Sequence, residues 1–148
     1  DKASATIYKR FQMLYSNGKI TPGHALKLSH QKLRATGTSN AKVRFIKGLA
    51  QKVVNRELKL EELDSMTDEE VIKELTKIKG IGPWTAEMFV MFALARPDVF
   101  SHGDLGLRKA IKKLYGFKRE PTRKQIEKIT KKWSPYRTCA CTILWQNL

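Results

Sequence analysis

The sequence predicts an all-α protein, and three observations carry that prediction. Apolar residues recur at spacings of three and four along most segments, while the alternation of a half-buried strand is almost absent. Helix-opening signals punctuate the chain, among them Thr21-Pro22, Ser39, and Thr67 with Glu70 three residues on. The predicted helices are short and broken at Gly and Pro, which fits orthogonal packing better than an up-and-down bundle. With 148 residues and no repeat, low-complexity segment or linker, 1–148 reads as one domain able to bury a core without staples.

Each element follows from local signals. Ser4 to Tyr15 carries Ile7, Phe11, Leu14 and Tyr15 at helical spacing and ends at Ser16-Asn17-Gly18. Because the helical pattern is already running at the first residues, further sequence upstream of Asp1 is expected. Thr21-Pro22 opens a short helix through Leu28, and a second runs from Ser29 toward Ala35, stopping at Gly37. Ser39 caps a longer one with Val43, Ile46, Leu49, Ala50 and Val53 on one face. Thr67 to Glu70 is a capping box that begins a helix buried through Val71, Ile72, Leu75 and Ile78. After a turn at Gly80-Ile81-Gly82, Pro83 opens a helix to about Ala95, with Trp84, Met88, Met91, Phe92 and Ala95 on a stripe that is core by default. From Asp104 a helix turns Leu107, Ala110, Ile111 and Leu114 inward and closes at Tyr115-Gly116. Thr122 with Gln125 starts another, to Lys132, and Ser134-Pro135 opens the last, burying Tyr136, Ala140, Ile143 and Leu144.

Composition excludes several classes. No apolar run approaches the roughly 18 residues of a membrane span, and Asp1-Lys2 does not open a secretory signal. Cys139 and Cys141, two apart on a helix, point in different directions and cannot pair, so reduced intracellular thiols are expected. A zinc site lacks a second pair of ligands, and an iron–sulfur cluster lacks its four cysteines. The net charge of +15 is uneven: eight of the 14 acidic residues lie between Glu57 and Glu74, and outside that stretch the chain carries a net +21. Such a field attracts polyanions, nucleic acid before anionic membrane, with steep salt dependence. The acidic stretch is explained by its capping box and helix dipole, and does not read as a metal site.

The most informative stretch is Leu75 to Met88, LTKIKGIGPWTAEM. A helix, a tight glycine turn and a second helix opened by Pro83 would aim free backbone N–H groups outward. The turn holds no carboxylate, and Lys77 and Lys79 lie just upstream, so a DNA phosphate is the natural guest. Sixteen residues past Met88 comes Asp104, in Val99-Phe100-Ser101-His102-Gly103-Asp104-Leu105-Gly106. Asp before a helix is ordinarily an N-cap. Here the combination of Ile78-Lys79-Gly80-Ile81-Gly82-Pro83-Trp84-Thr85-Ala86 with that loop and aspartate resembles the helix-hairpin-helix (HhH-GPD) DNA glycosylase superfamily. With the late Trp133 to Arg137 and Trp145, the branch most resembled is the 3-methyladenine DNA glycosylase II type. The hairpin occupies about 68–95, and Ala3 to Glu57 also looks like the helices preceding it in the family.

The resemblance implies a monofunctional enzyme of base excision repair. It would hydrolyse the N-glycosidic bond of alkylated purines such as 3-methyladenine and 7-methylguanine, flipped out of duplex DNA, and leave an abasic site. Asp104 would stabilise the oxocarbenium-like transition state and orient or deprotonate water. A cationic alkylated base needs no general acid to leave, so one carboxylate suffices where ordinary glycosidases use two. Trp84 and Trp145 match the tryptophans lining the family's base pocket, where an electron-poor base stacks well on an indole; Tyr136 and Met88 are further candidates. Trp84 also stands where the family's glycosylase/lyases carry a Schiff-base lysine, which implies hydrolysis alone. Lys79, the amides around Gly80 and Gly82, Thr85, Arg108 and Arg137 are candidate phosphate contacts, and His102 beside the loop is a candidate DNA contact without partners for a metal. No cofactor is required; a structural Na+ or K+ is a candidate at the carbonyls of Thr76, Ile78 and Ile81. The family's wedge residue and N-terminal sheet would lie upstream of Asp1.

A monomer acting on double-stranded DNA is expected, without membrane attachment, in the cytoplasm or nucleoid of a prokaryote or the nucleus of a eukaryote. Two alternatives stand: a glycosylase for another damaged base such as hypoxanthine, and a non-catalytic module using the hairpin only to grip phosphates.

Overall fold

A computed structural model describes residues 2–15 and 18–147, and among them there are helices and no strand. The chain divides into two compact units, Asp1–Ser65 with Lys77–Gly80, and Met66–Thr76 with Ile81–Leu148.

The first unit is built from α1 (Lys2–Gln12), α2 (Pro22–Lys27), α3 (His30–Ala35) and α4 (Asn40–Val54), followed by a 3-10 turn at Leu60–Ser65. Its helix starts are those the sequence predicts. Thr21, Ser29 and Ser39 each cap a helix, their hydroxyls accepting from the N–H of His24, Lys32 and Lys42 at 3.2–3.3 Å. α2 and α3 pack on α4, burying Tyr15, Ala25, Leu28, Leu33, Val43 and Ala50 as one cluster. The helix expected over Ser4 to Tyr15 closes at Gln12, and the Ser16 and Asn17 of its expected stop lie outside the described residues. Gly80 belongs to this unit with a left-handed φ of 94°, and a Cβ there would fall into the ring of Phe45. Both the turn and the close approach therefore require glycine.

The second unit holds α5 (Asp68–Thr76), α6 (Pro83–Phe92), α7 (Leu105–Leu114), α8 (Arg123–Thr130), a 3-10 turn at Lys131–Trp133, and α9 (Arg137–Gln146). The capping box opening α5 is formed: Thr67 N–H donates to Glu70 Oε2 at 2.8 Å, and Glu70 N–H to Thr67 Oγ1 at 3.3 Å. Thr122 and Gln125 make the same reciprocal pair ahead of α8. α5 packs on α6 and α7 on α9, around Val71, Leu75, Val90, Leu107, Ile111 and Leu144.

Several expectations are corrected here. The second hairpin helix ends at Phe92 rather than Ala95, so the hairpin helices span 68–92. Ala95 takes a left-handed φ of 52°, a stop no glycine announces, and Arg96 N–H reaches back to the Val90 carbonyl. The buried face of α6 is Ala86, Val90 and Met91, while Trp84 and Phe92 are exposed. Finally, Ser134-Pro135, a cis peptide, precedes α9 instead of opening it. With the helix beginning two residues later, its buried stripe is Cys141 and Leu144, leaving Tyr136 and Ile143 exposed; Leu114, at the last turn of α7, is exposed as well.

Candidate active site

The second unit gathers its functional chemistry around one carboxylate. Asp104 caps α7 from an extended backbone, and its Oδ1 accepts from Leu107 N–H at 2.7 Å. That much is the ordinary cap. Two tryptophans add what a cap does not need. Trp84 Nε1–H donates to Asp104 Oδ2 at 2.7 Å, and Trp145 Nε1–H donates to Oδ1 at 3.2 Å. One carboxylate thus receives three donors from three elements, the first turns of α6 and α7 and the last turn of α9. Asp104 is only 8% exposed, and the lone pairs of its two oxygens are what such a set of donors matches.

Local sequence explains why each partner stands where it does. Gly82 is the N-cap of α6 (φ −87°, ψ 172°) and Pro83 occupies its first turn, so Trp84 projects from the very start of the helix. Its indole edge is tied to Asp104 while the residue stays 51% exposed. A flat apolar face beside a fixed carboxylate is what a stacked base requires. Trp145 is half-buried and tilted against Phe92, ring centroids 6.0 Å apart. Met88, one turn after Trp84 on α6, is half-buried.

The segment leading into Asp104 is pinned along its length. Asp98 takes a fork from Arg137, Nε at 2.7 Å and Nη2 at 3.1 Å, and also accepts from Ser134 Oγ at 2.6 Å. The Arg137 guanidinium holds the Asp98 carboxyl well below its usual range, at about 2, and Asp98 in turn raises Arg137. Thr138 Oγ1 accepts from Val99 N–H at 3.1 Å and donates to the Arg96 carbonyl at 2.7 Å. Ser101, fully buried, hydrogen-bonds Glu87 of α6, and its carbonyl accepts from Asp104 N–H at 3.3 Å. Sequence reasoning missed Glu87, Asp98 and Thr138, since their partners lie 14 to 42 residues away and carry no spacing signature.

The other predicted site residues separate into those free to act and those already engaged. Tyr136, a predicted wall of the base pocket, is 68% exposed at the N-cap of α9. It stands at the opposite end of α9 from Trp145, nine residues earlier in the chain. Arg137, a predicted phosphate contact, has its planar fork occupied by Asp98. Arg108 pairs with Glu120 at 3.3 Å. Lys79 and Gly80, in the first unit, and Gly82 and Thr85, in the second, are all exposed. His102 packs edge-on against Phe100 at 4.9 Å with its Nδ1 buried and unpartnered; burial, then Arg123, lowers its pKa and favours the neutral ring. Among the described residues no group of His, Cys, Asp and Glu could hold a metal ion.

Comparison with known proteins adds an independent line. A family model described as HhH-GPD superfamily base excision DNA repair protein matches residues 1–135. DNA-3-methyladenine glycosylase 1 of Schizosaccharomyces pombe is 34% identical over 148 residues, 99% of this chain and 65% of that protein. Thus the chain spans just under two thirds of that relative's length. The crystal structure of a DNA-3-methyladenine glycosidase from Bacillus halodurans superposes with a TM-score of 0.81 at 40% identity, covering 98% of this chain and 67% of that one. The S. pombe 3-methyladenine DNA glycosylase Mag1, solved in complex with abasic DNA, gives 0.88 at 34% identity, covering 99% and 72%. Matched over nearly its whole length by the family model, and carrying the hairpin and loop aspartate on an all-helical frame, the chain belongs to the HhH-GPD superfamily of base excision DNA repair proteins.

Proposed function

We propose that the protein is a monofunctional DNA glycosylase that hydrolyses alkylated purines, 3-methyladenine and 7-methylguanine, from double-stranded DNA. The observation that carries this reading is the Asp104 carboxylate, held by two indoles, beside the half-exposed face of Trp84. The names of the S. pombe and B. halodurans relatives support it. The damaged nucleotide is flipped out of the duplex because the bond is unreachable within it. Its cationic base lies on Trp84, with Trp145 and Met88 as further walls, drawn by the electron-rich ring faces. As the C1′–N bond breaks, its electron pair leaves with the base and neutralises it. Positive charge grows on the sugar, where Asp104, already oriented and largely shielded from solvent, stabilises it. Water then adds to C1′ and gives its proton to Asp104 or solvent. Trp84 has no amine to form a Schiff base, so the product is an intact abasic site.

Candidate phosphate contacts are Lys79 and Gly80 in the first unit and, separately, Gly82 and Thr85 at the start of α6 in the second, all of them exposed residues. Hydrolysis draws on no cofactor. A structural monovalent cation would sit at the end of α5, at Thr76, where carbonyls of the last turn lack helical partners. The protein acts as a monomer wherever the genome lies, nucleoid or nucleus; no helix among the described residues is long and apolar enough to cross a membrane.

The test is base release from methylated duplex DNA by wild type and Asp104→Asn. Free 3-methyladenine from the wild type only, with strand breaks appearing only after alkali, is the expected result. Equal release by both would remove Asp104 from the mechanism. Intact DNA binding with no release from either would favour a binding module.

A further inference from the structure

The strongest concentration of charge in the molecule is away from the carboxylate. Residues 108–132 hold 11 basic and two acidic side chains, a net +9 of the whole chain's +15. Both acids are spoken for: Glu120 pairs with Arg108 at 3.3 Å and Lys112 at 3.7 Å, and Glu127 pairs with Arg123 at 2.8 Å. At the far end of α7 the chain turns through Gly116 into Phe117 and forms an open groove of about 630 Å³. Its walls carry Lys109, Lys112, Lys113 and Lys118, with Glu120 as the acid among them. Lys109, Lys113 and Lys118 have no ion pair among the described residues. Asp104 caps the other end of α7, and along the axis Lys109 stands about 7.5 Å and Lys113 about 14 Å from it.

Three features decide what such a groove would bind. Like charges held together repel one another, so the arrangement costs stability until a polyanion neutralises it. Its cations are lysines, flexible point charges rather than forks that grip one phosphate bidentately. It also lies at the C-terminal end of α7, where the helix dipole disfavours a single bound anion. A small phosphate ligand would have neither a cradle nor a dipole to hold it, whereas a regularly charged backbone needs only several mobile cations in a row.

We propose that the groove of Lys109, Lys113 and Lys118 is a second contact for duplex DNA, gripping phosphates outside the lesion site. It rests on the reading of the protein as a DNA glycosylase and deepens it: the groove sets non-specific affinity and retention on undamaged DNA, and takes no part in base release.

The experiment compares the triple variant K109E/K113E/K118E with K27E/K32E/K42E, which makes the same change in net charge on exposed lysines of the first unit. Binding of each to an undamaged 30-base-pair duplex is measured across a series of salt concentrations, with thermal melts to verify folding. Loss of three phosphate contacts should make the slope of log K against log[salt] shallower by roughly two to three, since each contact contributes about 0.9. The control should keep the wild-type slope, and single-turnover base release at saturating enzyme should stay within about twofold of wild type in the groove variant. Equal slopes for the two variants would overturn the proposal, and so would a groove variant whose saturated release rate collapses. If the wild type binds duplex but releases no base, and the groove variant alone loses slope, the groove stands while the glycosylase reading fails.

Discussion

Replacing Trp84 by Phe separates the two tasks proposed for that side chain. Phenylalanine keeps most of the aromatic face for stacking but removes the indole N–H, the one donor to Asp104 Oδ2 among the described residues. Oδ1 would keep both of its donors, Leu107 N–H and Trp145 Nε1–H. Hydrogen bonds to charged groups are worth about 1.5–3 kcal/mol. Because Trp84 is half-exposed, water can replace the lost donor, so the stability cost should fall at the low end, about 1.5 kcal/mol. The larger consequence is orientation: a carboxylate free to rotate at Oδ2 misplaces its charge from the sugar, and an orientation loss of about 1.4 kcal/mol is about tenfold in rate. Single-turnover release of 3-methyladenine from methylated duplex at saturating enzyme, with thermal melts alongside, should therefore show a loss of about tenfold or more in Trp84→Phe. Trp145→Phe should lose less, its bond being longer and its acceptor already served by Leu107. A Trp84→Phe rate at or above wild type, with Trp84→Ala inactive, would refute the clamp and leave Trp84 as a stacking surface alone.

Other consequences of the structure are open to simpler measurements. Gly80→Ala should destabilise the fold by about 2–4 kcal/mol through a left-handed φ and a clash with Phe45. Gly82→Ala, with open space and ordinary backbone, should cost under about 1 kcal/mol by denaturant midpoint; equal costs would refute the assignment. Asp98 has a folded pKa of about 2 against an ordinary 3.8, so its pairing stabilises above about pH 4 and is lost as pH falls through 2. The nominal worth is about 2.4 kcal/mol. With side chains 28% and 33% exposed, screening reduces this to about 1 kcal/mol. The stability difference between wild type and Asp98→Asn should therefore vanish between pH 4 and 2, and a difference independent of pH would contradict the pairing. Cys139 is exposed, while burial pushes the Cys141 thiol up to about 12. A maleimide should add once to the native chain and twice after unfolding, and two native adducts would contradict that burial.

What the sequence determined by itself was everything that depends on near neighbours. Caps at Thr21, Ser29, Ser39, Thr67, Asp104 and Thr122 are bonds across three residues, and side-chain type with spacing specifies them. The hairpin turn and the loop aspartate were legible for the same reason, and with them the family. Tertiary structure decided what depends on residues far apart in the chain. Ala95 ends α6 without a glycine because a left-handed turn is imposed there. α9 begins at Arg137 because Asp98, 39 residues earlier, accepts its first N–H at 3.4 Å and its guanidinium as well. That pairing also engages the Arg137 fork, which the sequence offered as a phosphate contact. The bonds that turn Asp104 from a cap into a clamped carboxylate come from Trp84 and Trp145, 20 and 41 residues away. Composition and spacing place an indole on a helix. Only packing decides that its N–H meets a particular oxygen, because that contact depends on the relative placement of whole helices, which no local pattern encodes.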